Sequence, residues 1–262
     1  MMDLNKQTYF SDRAQKAYFS VSQWKQFEKC EAAALAELRG EYRKEPTTAL
    51  MVGSYVDAYF SGDLDEFTER HPEIFNSRTG ELKADYRKAD AMIDRLLDQD
   101  LLLIDYLHGE TQVIRTAEWM GYPWKIKMDF CDGTKIVDLK TVKDFGNIYD
   151  PGYGYRDWIS YWGYDLQGAV YQQIEMISSG RPSPLPFYLV AVTKEPVPDV
   201  ALIRIPQHIL DAAIKIHGIE DRIDRYQLIK DGVLEPRRCE HCDWCKETKR
   251  ITEPVEYEPV EA

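Results

Sequence analysis

The segment Trp124-Lys-Ile-Lys-Met-Asp-Phe-Cys-Asp-Gly-Thr-Lys-Ile-Val-Asp-Leu-Lys140 limits the possible folds more than any other stretch. Apolar and polar side chains alternate on both sides of Asp132-Gly133, a dipeptide that closes tight β-hairpins because both residues tolerate positive φ. A two-residue turn predicts Cys131 opposite Thr134, Asp129 opposite Ile136 and Lys127 opposite Asp138. With a side-chain period of two, Asp129, Asp138 and Lys140 then share one face. Ile126, Met128, Phe130, Val137 and Leu139 take the other face and pack on a core. In this register Asp129 and Asp138 are diagonal neighbours, their Cα atoms roughly 7–8 Å apart.

The rest of the chain supplies the partners such a hairpin needs. Ser22 caps a helix expected through Trp24, Phe27 and Leu38 to Gly40, and further helices are expected over about 47–60 and 83–103. Strands are expected at 111–118 and 123–141, with turns at Met120-Gly121 and Asp132-Gly133. A helix follows over 161–178, then strands at 187–193 and 200–205 and a helix over 207–230. This order predicts an α/β fold with a mixed central sheet flanked by helices. No linker is visible, so 1–262 reads as a single domain: a leader at 1–20, a helical part at 22–110, a sheet and helix at 111–205, a C-terminal helix and cysteine cluster at 206–250, and an acidic tail at 251–262. No run reaches the roughly 18 apolar residues needed to cross a bilayer, and residues 1–20 are too polar for a secretory signal. A soluble cytoplasmic protein is expected.

With 33 Lys plus Arg against 45 Asp plus Glu, the net charge is −12. The average field of such a chain repels phosphate, which excludes an unselective polyanion binder. Nucleic acid would have to be handled through a local basic groove or through metal ions. The hairpin offers the second route. Two carboxylates at the Asp129–Asp138 separation can share a hard divalent cation such as Mg²⁺ or Mn²⁺, and without one they are costly to keep close. Lys140, on the same face, can orient or deprotonate an attacking water or stabilise charge on a phosphate. The competing reading is a solvated hairpin face, since Asp-x-Lys triplets arise by chance. Downstream, Gln167-Gly-Ala-Val-Tyr171 places two uncharged hydrogen-bonding groups one helical turn apart.

Asp129, then Asp138-x-Lys140, then Gln167-x-x-x-Tyr171 resembles the PD-(D/E)XK nuclease superfamily, in particular its RecB-like branch. The resemblance implies a restriction-endonuclease-like core and a Mg²⁺-dependent nuclease, with Asp129 and Asp138 on the metal, Lys140 beside the water and Gln167 and Tyr171 assisting. The family's upstream Gly-x-x-x-His motif corresponds to Gly53-Ser-Tyr-Val-Asp57, where Asp stands in place of the commoner His as a further metal ligand. Size and layout look most like phage or prophage RecE-type exonucleases. That likeness implies linear double-stranded DNA ends as substrate, a single-strand annealing recombinase as partner, and room for oligomerisation. A CRISPR-type adaptation nuclease and a non-catalytic, metal-stapled DNA-binding adaptor are the alternatives.

Cys239-Glu-His-Cys242-Asp-Trp-Cys245 spaces three thiols for a common ligand, and Cys30 or His241 would complete the set. Cys131 is expected to stand apart. One N-terminal and three C-terminal cysteines bracketing the nuclease motifs are similar to the iron–sulfur members of the superfamily. The similarity implies a structural [4Fe–4S] cluster, with Zn²⁺ as the alternative, stapling the ends of the chain beside the DNA-binding surface. Finally, Tyr149, Tyr153, Tyr155 and Trp158 crowd a Gly-rich loop at 145–160. Tyr153, Tyr155 and Trp158 are expected to fill a gap between sheet and helix, with stacking on unpaired bases as the alternative.

Overall fold

The computed structural model describes residues 2–98, 101–254 and 256. In chain order its elements are α1 Asp12–Ala17, α2 Val21–Lys29, α3 Glu31–Arg39, α4 Thr48–Ser61, α5 Leu64–Arg70, α6 Ala84–Leu97 and α7 Leu101–Tyr106. Strands β1 Glu110–Trp119, β2 Tyr122–Cys131, β3 Ile136–Val142, β4 Ile148–Asp150 and β5 Gly154–Arg156 follow. Then come α8 Trp158–Trp162, α9 Tyr164–Ser179, β6 Phe187–Thr193, β7 Val200–Arg204, α10 Gln207–Ile216, α11 Ile219–Lys230 and α12 Asp243–Glu247. Of the acidic tail, residues 255 and 257–262 lie outside the described residues, as do 99 and 100 within the helix expected over 83–103. No helix among the described residues is long and apolar enough to cross a membrane.

The chain forms two compact units, 1–21 with 44–223 and 22–43 with 224–262. In the first, five strands run in the order β1-β2-β3-β6-β7, with β3 and β6 parallel and the other neighbours antiparallel. This is the mixed α/β sheet of a restriction-endonuclease-like core. Strand β6 is buried along nearly its whole length, as expected of a central strand covered on both faces. Helices α4 and α6 cover one face, packing Val52, Tyr55, Met92 and Ile93 against Phe130, Val137, Leu139 and Val190. Helix α9 links the parallel strands β3 and β6 and covers the other face. The β1–β2 turn at Met120-Gly121 has φ of 52° and 79°, the paired left-handed geometry of a tight hairpin.

Several boundaries depart from the sequence expectation. The helix expected from Ser22 to Gly40 starts at Val21 and breaks at Cys30, whose backbone is extended at φ −166° and ψ 111°. The helix expected over 207–230 is two helices parted at His217-Gly218, and short α1 and α5 carry too little periodicity to be read. The β2–β3 register is also shifted. Phe130 pairs with Val137 and Cys131 with Ile136, not with Thr134. The cause is Asp132, whose Oδ1 accepts from the Thr134 and Lys135 amides at 2.8 and 3.0 Å and so holds a four-residue loop. A slip of two residues leaves every side chain on its face. In the aromatic loop Trp158 is buried as expected, but Tyr153 and Tyr155 are 81% and 76% exposed on the small β4–β5 hairpin and fill no gap.

Candidate active site

The β2–β3 ladder stops at Phe130–Val137, and the strands part beyond it. In the fork, the Leu139 amide donates to Asp129 Oδ2 at 2.9 Å, so a side chain takes the place of a strand partner. Carried one step past its last pair, the observed register aligns Asp129 with Asp138 in place of the diagonal placement expected. Asp138 is 1% exposed and forms an ion pair with Lys140 through Oδ2. Its Oδ1 accepts from Gln167 Nε2 at 2.6 Å. Gln167 reaches it because α9 lies across the sheet on that side. One turn later, Tyr171 donates its hydroxyl to the Lys127 carbonyl at 2.9 Å and so ties α9 to β2. The Tyr164 ring stands 5.3 Å from the Lys140 ammonium.

Asp57 comes to this group from the opposite side. Helix α4 lies so close to β3 that a Cβ on Gly53 would stand 3.0 Å from Thr141 Oγ1. The i, i+4 spacing then carries Asp57 one turn along the same side. Its carboxylate accepts from Gln112 Nε2 at 3.1 and 3.3 Å. Sequence reasoning missed Gln112. It is buried in β1, and its φ of 54° is left-handed, a strained state for a residue with a side chain. A glutamine inside an alternating strand gives no signal of this.

The electrostatics are those of crowded like charges. Burial, reinforced by Asp138 and Asp57, raises the Asp129 carboxyl well above its ordinary value. Burial, with Asp138 adding to it, also raises Asp57 against the opposing pull of Lys127 and Lys140. Burial disfavours the Lys140 ammonium, but Asp138 and Asp129 outweigh it and hold the charge. Three carboxylates thus gather around Lys140, with Lys127 beside Asp57 as the other nearby cation. That surplus of buried negative charge, on hard oxygen donors, suits a divalent cation. A cleft of about 730 Å³ leads up to Asp57 and Gln112. It is not a purely basic groove, since its Lys6 and Arg70 are paired with its Asp63 and Glu66.

In the second unit, the thiols of Cys30, Cys239, Cys242 and Cys245 converge, while His241 is exposed and Cys131 lies elsewhere, buried and free. Cys30, not His241, is therefore the fourth member.

A mixed sheet with this carboxylate–lysine fork and its Gln-bearing helix defines a PDDEXK-like domain. Residues 20–248 match the family described as PDDEXK-like domain of unknown function (DUF3799), and the chain belongs to that family. The crystal structure of a protein named "Putative exonuclease" from Eubacterium rectale is 39% identical, with a TM-score of 0.91 over 98% of this chain and 97% of that one. A second solved structure, SSO0001, is 12% identical with a TM-score of 0.26 over 76% of this chain and 85% of that one. No curated protein matches the chain.

Proposed function

We propose that the protein is a metal-dependent exonuclease acting on the ends of linear double-stranded DNA. The observation that carries this reading is the fork between β2 and β3. There Asp129, Asp138 and Lys140 meet, with Gln167 bonded to Asp138 and Asp57 near enough to perturb the same charges. Asp129 and Asp138, with Asp57, would hold Mg²⁺ or Mn²⁺, an ion that serves as Lewis acid and water activator in phosphodiester hydrolysis. Lys140, kept as an ammonium by its ion pair, offers positive charge to a phosphate oxygen or orients the water. Gln167 fixes the rotamer of Asp138, and Tyr171 fixes α9 on β2. The name of the Eubacterium rectale neighbour supports exonuclease action, and the resemblance of the sequence in size and motif order to RecE-type exonucleases suggests work alongside a strand-annealing protein.

The test is digestion of an end-labelled linear duplex with Mg²⁺, with a closed circle of the same sequence as control. Loss of the linear substrate alone is expected, abolished in both Asp138→Ala and Lys140→Ala. Full activity in both variants, or equal cutting of the circle, refutes the proposal.

A further inference from the structure

The iron–sulfur cluster implied by the family resemblance can be tested against the spacing of the four thiols. The Sγ atoms of Cys30, Cys239, Cys242 and Cys245 all lie within 4.8 Å of one another. Cys30 and Cys245 are 3.6 Å apart, and Cys239 and Cys245 are 3.9 Å apart. Four sulfurs bound tetrahedrally to one ion at about 2.3 Å are about 3.8 Å apart, because a tetrahedron's edge is about 1.6 times its centre-to-corner distance. In a [4Fe–4S] cluster each thiolate binds a different iron of the cube, which separates the sulfurs by roughly 6 Å. The spacing here matches the single ion and leaves no volume for the cube.

The geometry points to a mononuclear, redox-inert Cys₄ site for Zn²⁺, formed by Cys30, Cys239, Cys242 and Cys245. Two local features are built for it. Cys239 Sγ accepts from the His241 and Cys242 amides at 3.5 and 3.3 Å, a knuckle that aims two N–H dipoles at a thiolate. Glu240, within that knuckle, takes the left-handed φ of 63° needed to close it. On the other chain segment, the break between α2 and α3 falls at Cys30 itself. That break turns its thiol toward the C-terminal three instead of continuing the helix. Ala32, Ala33 and Trp244 pack around the thiols and limit access of water. Four thiolates complete a tetrahedron and leave no position for substrate, so the ion is structural. It joins residues 22–43 to the chain beyond residue 238, segments that no covalent bond holds together.

The test uses the full chain, expressed with both iron and zinc supplied and purified anaerobically. Metal content and the ultraviolet-visible spectrum are measured, and the protein is then exchanged with Co²⁺. The expected result is one zinc per chain, no visible colour, and on exchange the intense visible bands of tetrahedral thiolate-bound cobalt. Cys131→Ser, outside the cluster, keeps this stoichiometry; Cys242→Ser, at a half-exposed ligand, loses it. Four irons per chain with broad brown absorption would overturn the inference. So would metal-free protein in which all five thiols react freely. None of these readouts depends on nuclease activity, so this inference and the proposed function fail separately.

Discussion

Gly168 lies inside the Gln167-to-Tyr171 motif, and its replacement by alanine tests both the packing and the site. A Cβ there would stand 2.5 and 2.8 Å from two ring carbons of Phe187 and 2.9 Å from Leu210 Cδ2. Carbon pairs prefer about 3.5–4.0 Å, so α9 or the ring must move by about 1 Å. Neither neighbour has room, as Phe187 is 0% and Leu210 1% exposed. Such overpacking costs about 1–3 kcal/mol, and a buried aromatic ring puts this case at the upper end. Alanine returns about 1 kcal/mol of helix propensity. The expected net effect of Gly168→Ala is a loss of about 1–2 kcal/mol, measured by urea denaturation at 25 °C. The same shift would draw Gln167 away from Asp138 and lower the cleavage rate beyond what the lost stability explains. In a Phe187→Leu background the alanine should cost less, so the double mutant loses less stability than the sum of the two single changes. A stabilised Gly168→Ala with no coupling to Phe187 would refute the close packing of α9 on β6.

The remaining predictions concern charge and the second unit. Asp129 is held above its unfolded pKa, so the metal-free native state keeps a proton that the unfolded chain has lost. Its stability therefore falls as pH rises from about 4 through the raised value. Asp129→Asn should remove that part of the slope, raise metal-free stability at neutral pH and abolish cleavage, as read from denaturation curves at several pH values; an unchanged slope would count against the crowded-carboxylate account. Gln112→Ala should lower cleavage about tenfold or more, the worth of one hydrogen bond to a charged group, in a protein that still melts cooperatively. Arg225 donates to both oxygens of the nearly buried Glu31 at 2.8 and 2.6 Å. Arg225→Ala should cost about 2–3 kcal/mol by removing the ion pair and leaving the carboxylate only its bond from the Arg237 amide, and a thermal melt unmoved by the change would contradict it. Trp158→Ala should destabilise by about 3 kcal/mol or more while leaving single-strand affinity unchanged, since the ring packs on Phe145 and Tyr164 and is not presented to solvent.

The hairpin was the most legible part of the chain because its information is carried by parity. Alternation assigns Asp129, Asp138 and Lys140 to one face whether the loop has two residues or four. The register itself depended on the Asp132 side chain capping two amides, a choice that Asp-Gly does not encode. Helix interruptions were hidden for a different reason. The apolar period runs on through Cys30 and His217, and the breaks answer to tertiary demands, at Cys30 the aiming of a thiol. The exposed tyrosines of the β4–β5 hairpin were misread because aromatic composition measures apolar area and says nothing of where that area faces.

The site itself divides along the same line. Its local half, the carboxylates and the lysine, is set by residue spacing within one hairpin and could be read directly. Its topological half is not. Gln167 reaches Asp138 only because the link between parallel strands must cross the sheet, and that crossing lays α9 over β2. Asp57 enters from the other face only because Gly53 lets α4 approach Thr141, and Gln112 meets it only through a left-handed residue in β1. Each of these contributions adds a carboxylate or fixes one, and none adds a cation to Lys127 and Lys140. A hairpin alone would present two acids and two lysines, Lys127 and Lys140, balanced in charge. The complete fold concentrates a third acid on the same point, and this excess, not the hairpin motif by itself, is what makes the fork suited to a divalent ion.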